Sequence, residues 1–160
     1  RANLREALPF EKSFYSGGAN GMRAWKARSL GPGSYYDSLQ RFDKIGDIQI
    51  EGNLELRFPF SSWVEGAFFV DMGNVWLLRE DSIRTQGQFR KESFLNEIAI
   101  GSGLGLRLNL DFFIIRVDLA MPIKNPAISL PNNRWVFGKS TAERQQFYPV
   151  QFNLGIGYPF

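Results

Sequence analysis

The 160-residue chain contains no cysteine and no histidine. Their absence excludes disulfide bonds, thiolate and imidazole metal ligands, and nucleophile pairs of the Ser-His or Cys-His type. The net charge is only +3, which gives no reason to expect a nucleic-acid partner. No apolar run reaches the length of about 18 residues that a transmembrane helix requires. We therefore predict neither a cofactor nor a metal site.

Aromatic residues are abundant, fifteen of them Phe, and many lie in five segments where apolar and polar side chains alternate. In the first of these segments the even positions from 48 to 60 are apolar or glycine, and the odd positions from 47 to 57 are polar or charged. A period of two is typical of β-strands, not of helices. The five predicted strands span residues 47–60, 64–76, 98–109, 112–121 and 150–160.

The alternation favours an all-β fold, an antiparallel transmembrane β-barrel. Every charge in the five strands falls on one face, and the strands are long enough to cross a bilayer at a tilt. The connections alternate between short ones (61–63 and 110–111) and long ones (77–97 and 122–149), as in outer-membrane barrels. A soluble β-sandwich has a similar alternation and is kept as an alternative.

Five strands cannot close a bacterial barrel, since known single-chain examples have an even number of at least eight. We therefore expect the chain to supply the last five strands of a longer polypeptide; closure by oligomerisation is the alternative. Residues 1–46, rich in Gly, Ser and aromatics, are expected to form the long loop that precedes these strands.

Two carboxylates and one arginine form the candidate site. Glu55 and Asp71 are predicted to face inward on neighbouring strands, nearly symmetric about Trp63, where they would repel each other without a cation. Arg23, in the glycine-rich stretch "SGGANGMRAW", is the candidate cation because a guanidinium can bond two carboxylates at once. The alternatives are a solvated Arg23 beside carboxylates that merely coat a wet interior, and a glycosidase carboxylate pair.

These segments resemble the BamA/TamA-type outer-membrane assembly barrels of the bacterial surface antigen superfamily. The stretch "FYSGGANGMRAW" resembles the V-R-G-F/Y motif of the sixth loop, and "GAFFVDMGNVW" resembles an F-x-D-x-G strand. "NLELRFPF", "GSGLGLRLN" and "FNLGIGYPF" are similar to neighbouring strands of the same barrel, and "KARSLGPGSYY" is most similar to the Bacteroidota form. One departure is Ala24, which stands where the family usually has glycine; it would be strained if the position needs a positive φ.

The resemblance implies a non-enzymatic protein that folds and inserts other β-barrel proteins into the Gram-negative outer membrane through a lateral seam. It also implies upstream POTRA domains, accessory lipoproteins, unfolded outer-membrane clients and the lipid bilayer as partners. The implied site is a loop folded into the barrel interior, with Arg23 docked on Glu55 and Asp71. The supporting motif residues are Gly17, Gly18, Met22, Ala24, Trp25, Phe69 and Gly73.

The last strand is implied to form the seam and the terminal signal by which the barrel is itself assembled. The residues concerned are Phe152, Leu154, Gly155, Ile156, Gly157, Tyr158 and Phe160. Its two glycines either weaken the strand for opening or relieve crowding in the interior. A passive porin and a two-partner-secretion pore of the same superfamily remain as functional alternatives.

Overall fold

The structure is a computed structural model, and it describes residues 13–36, 44–128, 134–136, 139–140 and 148–157. Over this part, chain order runs β1 (Phe14–Tyr15), β2 (Ile45–Gly46), β3 (Ile48–Pro59), β4 (Val64–Trp76), α1 (Phe94–Glu97), β5 (Ala99–Asn109), β6 (Ile114–Lys124) and β7 (Gln151–Ile156). Among the described residues, no helix combines the length and the apolar character needed to cross a bilayer.

The five long strands form one antiparallel sheet in the order β3-β4-β5-β6-β7, so every strand pairs with its neighbour in sequence. Residues 60–63 and 110–113 make the short turns, while long connections lie at the opposite end of the sheet. β1 and β2 form a separate two-stranded ribbon before β3. The all-β, antiparallel fold class is confirmed.

The sheet buries its charged face and exposes its apolar face. The inner face, which carries Asp71, Arg107 and Asp118, is buried, whereas the outer face exposes Leu104 by 63% and Ile156 by 79%. A soluble sheet does the reverse, because burying apolar surface away from water is the main force that drives folding. The pattern therefore opposes a soluble sandwich and matches a barrel wall whose outer face meets hydrocarbon.

β6 differs from its predicted range, 112–121, because it starts at Ile114 and continues through Pro122 to Lys124. Proline is tolerated inside a sheet only at an edge or a bulge, because it lacks the N–H that a ladder needs. A register shift between Ile100 and Gly101 leaves Ile123 without a partner on β5. The carbonyl of Ile123 instead accepts a hydrogen bond from Val136. This bulge lets the strand pass the proline.

β7 is shorter than the predicted strand 150–160. It ends at Ile156, and Gly157 turns the chain with a φ of +87°, a conformation that L-residues with side chains rarely adopt. Residues 158–160 of the predicted strand lie outside the described residues.

The alternation of β4 puts Trp76 on the apolar outer face, yet Trp76 is not exposed there. It is fully buried, because Phe89 and Phe94 from the 77–98 connection pack against its ring. Its indole Nε1 donates a 2.7 Å hydrogen bond to the carboxylate of Glu97. The connection thus covers this end of β4 and satisfies the polar atom of the indole.

Candidate functional site

The loop that carries Arg23 is shaped by its glycines. Gly17 and Gly18 have φ values of +104° and +98°, and the amide of Gly18 donates a 2.8 Å bond to the carbonyl of Trp25. A Cβ on Gly17 would lie 2.2 Å from the carbonyl oxygen of Lys26, which is backbone and cannot move aside easily. The glycine pair is therefore needed to close the loop and bring residue 23 to the sheet.

Arg23 is completely buried and meets both predicted carboxylates. Its Nε and Nη2 donate bonds of 2.9 and 2.7 Å to the two oxygens of Asp71, and its Nη1 donates one of 2.6 Å to Glu55. The backbone amide of Arg23 donates a further 3.1 Å bond to Asp71. The guanidinium also stacks 3.4 Å from the ring centre of Phe69. The planar fork of arginine thus binds two strands at once.

The electrostatics of the site favour charged Arg23. Burial alone would lower the pKa of Arg23, but the hydrogen bonds and negative charges of Asp71 and Glu55 outweigh burial and raise its pKa. A glycosidase needs one protonated carboxylic acid, whereas here both carboxylates bind the same cation. This geometry stabilises two anions and gives no support to the glycosidase alternative.

Glu55 and Asp71 are diagonal neighbours across β3 and β4, not opposite residues. Asp71 pairs with Asn53, and Glu55 pairs with Phe69. The strand register is symmetric about residue 62, one residue before Trp63. Both carboxylates still face inward, because a shift of the centre by one whole residue keeps residues of the same parity opposite each other. The Asn53 amide occupies the opposite position and donates to both Asp71 and the carbonyl of Gly21.

Three further charged residues complete the buried cluster, and the sequence prediction did not select them. Arg107 donates a 2.9 Å bond from Nη2 to Glu55 and another from Nη1 to Asp118. Asp118 lies 4.0 Å from Arg23 and 3.5 Å from Arg116. Three buried guanidinium groups therefore face three buried carboxylates. The available signal was the alternation, which already put these residues on the inward face.

Three glycines of β5 make room for this cluster. A Cβ on Gly103 would lie 2.5 Å from the ring of Phe69, and one on Gly105 would lie 2.2 Å from Asp118. On Gly101 a Cβ would lie 2.6 Å from the side chain of Ala24. The bare backbone of β5 is thus the surface on which the loop and the ion pairs rest.

Ala24 is accommodated without a strained backbone. Among the described residues the non-glycine positions with positive φ are Arg28, Gln86 and Asp111, so Ala24 is not one of them. Its side chain is buried against Gly101. The methyl group of Ala24 fits because the facing residue on β5, Gly101, has no side chain.

The other predicted motif residues surround Arg23. Met22, Ala24, Trp25 and Phe69 belong to one buried apolar cluster. Gly73 lies where a Cβ would come within 2.4 Å of the Ile50 carbonyl, so β3 and β4 can approach only at a glycine.

β7 places its predicted residues on both faces. Phe152, Leu154 and Ile156 are exposed on the outer face. Gly155 lies beneath Arg116, whose Nη2 would be 2.6 Å from an added Cβ, which favours the crowding explanation for this glycine. A Cβ on Gly157 would meet nothing within 4 Å, so the positive φ of this residue accounts for the glycine instead. Tyr158 and Phe160 lie outside the described residues.

In the part of the chain that the structure describes, no group of three or more His, Cys, Asp or Glu residues could hold a metal ion. The buried carboxylates of the site contact arginines instead, which makes it a docking site between a loop and a sheet.

Comparisons with known proteins agree with this architecture. The family model described as the Omp85 superfamily domain matches residues 2–160. The chain is also 26% identical, over 135 residues, to the outer membrane protein assembly factor BamA of Neisseria meningitidis serogroup B. That alignment covers 73% of this chain and only 17% of the relative. The likeness to the Bacteroidota form stays a prediction. The chain belongs to the Omp85 superfamily, and its five-stranded antiparallel sheet is a BamA/TamA-like segment of a β-barrel.

Proposed function

We propose that this chain is the barrel segment of a factor that folds and inserts other β-barrel proteins into the outer membrane of a Gram-negative bacterium. The observation that carries the proposal is the docking of Arg23 on Asp71 and Glu55. The factor would work without covalent chemistry, by holding a barrel wall and its interior loop in a defined arrangement.

The buried guanidinium supports a role for loop docking. Arg23 lies on the loop, Glu55 on β3 and Asp71 on β4, so one side chain holds three segments together. Removing one partner from such a buried ion pair costs about 3–5 kcal/mol, because the remaining charges stay buried without compensation. A loop held this firmly is a defined part of the barrel interior.

The exposed outer face supports the bilayer as a partner. Leu54, Leu104 and Leu154 lie exposed on this face. Unfolded outer-membrane clients, accessory lipoproteins and upstream POTRA domains are proposed as partners from the similarity to BamA of Neisseria meningitidis, an outer membrane protein assembly factor. The interior loop, residues 1–46 in the prediction, would lie inside the closed barrel.

The proposal is tested with the full-length protein reconstituted in lipid vesicles, by following the folding of a denatured outer-membrane barrel through its heat-modifiable gel mobility. We expect Arg23→Ala to slow client folding at least tenfold, since the loop loses its anchor. Arg23→Lys keeps the charge but not the fork, and we expect an intermediate rate. Lys26→Ala, an exposed cation on the same loop, is the matched control and should fold clients at the wild-type rate.

Two results would contradict the proposal. The first is an Arg23→Ala protein that is correctly inserted and folds clients as fast as the wild type. The second is a wild-type protein that folds no client but conducts ions steadily in a planar bilayer, which would favour the porin alternative.

A further inference from the structure

β7 is one of the two edge strands of the described five-stranded sheet, and it is the shortest of the five strands. It pairs with β6 over only six residues, Gln151–Ile156, and its other edge has no strand partner among the described residues. The pairing of β7 with β6 therefore covers fewer residues than the eleven to thirteen of the other long strands.

Asn153 connects this edge strand to the docked loop. Its side-chain amide donates a 2.9 Å hydrogen bond to the backbone carbonyl of Arg23. The side chain of Arg23 binds β3 and β4 at the far edge of the same sheet. Residue 23 thus lies between the two edges of the sheet, bonded to the first by its guanidinium and to the last by its carbonyl.

Arg116 of β6 makes a second polar contact with the loop and lies next to β7. Its Nη2 donates a 2.8 Å bond to the side chain of Asn20 on the loop, and the guanidinium lies over Gly155 of β7. Its Nε and Nη1, and one oxygen of Asp118, are buried and have no hydrogen-bond partner among the described residues. Nε lies 3.5 Å from that oxygen of Asp118, so a small movement of Arg116 would let the two atoms form a hydrogen bond.

We propose that Asn153 is a positioning residue that couples β7 to the Arg23 loop, with Arg116 of β6 as a second contact to the loop. Displacing β7 removes a bond from the loop, and undocking the loop removes a bond from β7. Arg116 can then turn from Asn20 to Asp118, which lowers the cost of the undocked state because fewer buried polar groups stay unpaired. As a regulation of client insertion, this coupling rests on the proposed function.

The loop side of the coupling is measured by thiol labelling of a cysteine-free full-length protein that carries Met22→Cys. Position 22 is fully buried when the loop is docked, so the labelling rate reports loop release. We expect Asn153→Ala to raise this rate about fivefold, the effect of one neutral hydrogen bond. Gln151→Ala, which removes an amide side chain from the same face of β7, is the matched control and should leave the rate unchanged.

The strand side is measured by hydrogen exchange of the β7 amides in a protein whose β7 is unaltered. Asp71→Asn weakens the loop anchor on β4, and we expect β7 exchange to rise by the same factor of about five, because coupling between two sites is reciprocal. The double variant Asp71→Asn, Asn153→Ala should be labelled at position 22 no faster than the Asp71→Asn variant alone. A purely local role for Asn153 would make the two effects independent.

The proposal is overturned if Asn153→Ala and Gln151→Ala give the same labelling rate, or if Asp71→Asn leaves β7 exchange unchanged. The Asp71→Asn measurement stands even if Asn153→Ala fails to fold. Client folding is assayed separately: lost coupling with intact client folding refutes this inference alone. Intact coupling in a protein that folds no client refutes the proposed function and leaves the structural coupling standing.

Discussion

At the scale of single residues, one arginine sets the arrangement of the site. Arg23 uses its side chain on Asp71 and Glu55, its amide on Asp71 and its carbonyl on Asn153. Lysine could offer the charge but not the planar fork that serves two carboxylates in fixed directions. The tryptophan and methionine beside it are buried apolar neighbours that keep water from the ion pairs.

Asp118→Ala tests the part of the cluster that the sequence prediction did not select. The substitution leaves three buried guanidinium groups with two carboxylates, so we expect the free energy of unfolding to fall by about 3–5 kcal/mol. Denaturant unfolding of the full-length protein in vesicles gives this value.

The control for this substitution is Glu65→Ala, which removes a carboxylate from β4 outside the buried cluster. We expect it to change the unfolding free energy by less than about 0.5 kcal/mol. Equal losses for the two variants would show that the cluster contributes nothing beyond an ordinary charge.

At the scale of elements, β5 provides a glycine-lined inner surface on which groups from neighbouring segments pack. Its inward glycines leave space for Ala24, for the Phe69 ring and for the ion pair of Arg107 with Asp118. Glycine usually weakens a strand, because it restricts the backbone least and packs no side chain. Here the lost side chains are replaced by groups from neighbouring segments, so the weak β-propensity of the strand is offset by tertiary contacts.

Gly103→Ala tests this role of β5. The added Cβ would lie 2.2 Å from the carbonyl oxygen of Leu119 and 2.5 Å from Phe69, and the first of these is backbone. We expect a loss of about 1–3 kcal/mol in the free energy of unfolding, typical of an overpacked interior.

Gly52→Ala is the matched control, since its Cβ would meet only Met72, at 3.5 Å. Replacing a strand glycine without a clash restricts the unfolded chain, and we expect a gain of about 0.4–1 kcal/mol. The same denaturation measurement serves both variants, and a Gly103→Ala protein as stable as Gly52→Ala would contradict the steric account.

At the scale of the whole molecule, the sheet is the reverse of a soluble one. Charged side chains are paired in its interior, and its exposed outer face is apolar from β3 to β7. In water this arrangement would expose a large apolar surface, which favours aggregation. In a bilayer the same surface meets hydrocarbon, so the solvent decides whether the arrangement is stable.

Leu104→Arg tests the assignment of the outer face to lipid. Leu104 lies in the middle of β5, and an arginine at the bilayer midplane costs about 2–4 kcal/mol. Leu110→Arg, at a short turn near the predicted membrane surface, should cost only about 0–1 kcal/mol.

Folding of both leucine variants into vesicles measures this depth dependence. Equal costs at the two positions would contradict a membrane-crossing strand. A soluble sheet with one wet face would tolerate arginine at both.

The sequence by itself determined the strands, their antiparallel order and the side to which each residue points, because alternation is a local property of the chain. It also indicated Arg23, Glu55 and Asp71, since charges on one face of neighbouring strands need compensation. The ends of the strands were less accurate: β6 continues past its predicted end at residue 121, because a bulge lets the strand pass Pro122.

Only the tertiary structure decided which inward charges meet. Arg107, Arg116 and Asp118 share the inner face with other polar residues. Strand register, which depends on turn geometry, brings Arg107 to Glu55 and Asp118 to Arg23. The burial of Trp76 likewise depends on a connection that packs back over β4. Periodicity specifies a face, whereas pairing between distant residues depends on how the whole sheet and its loops assemble.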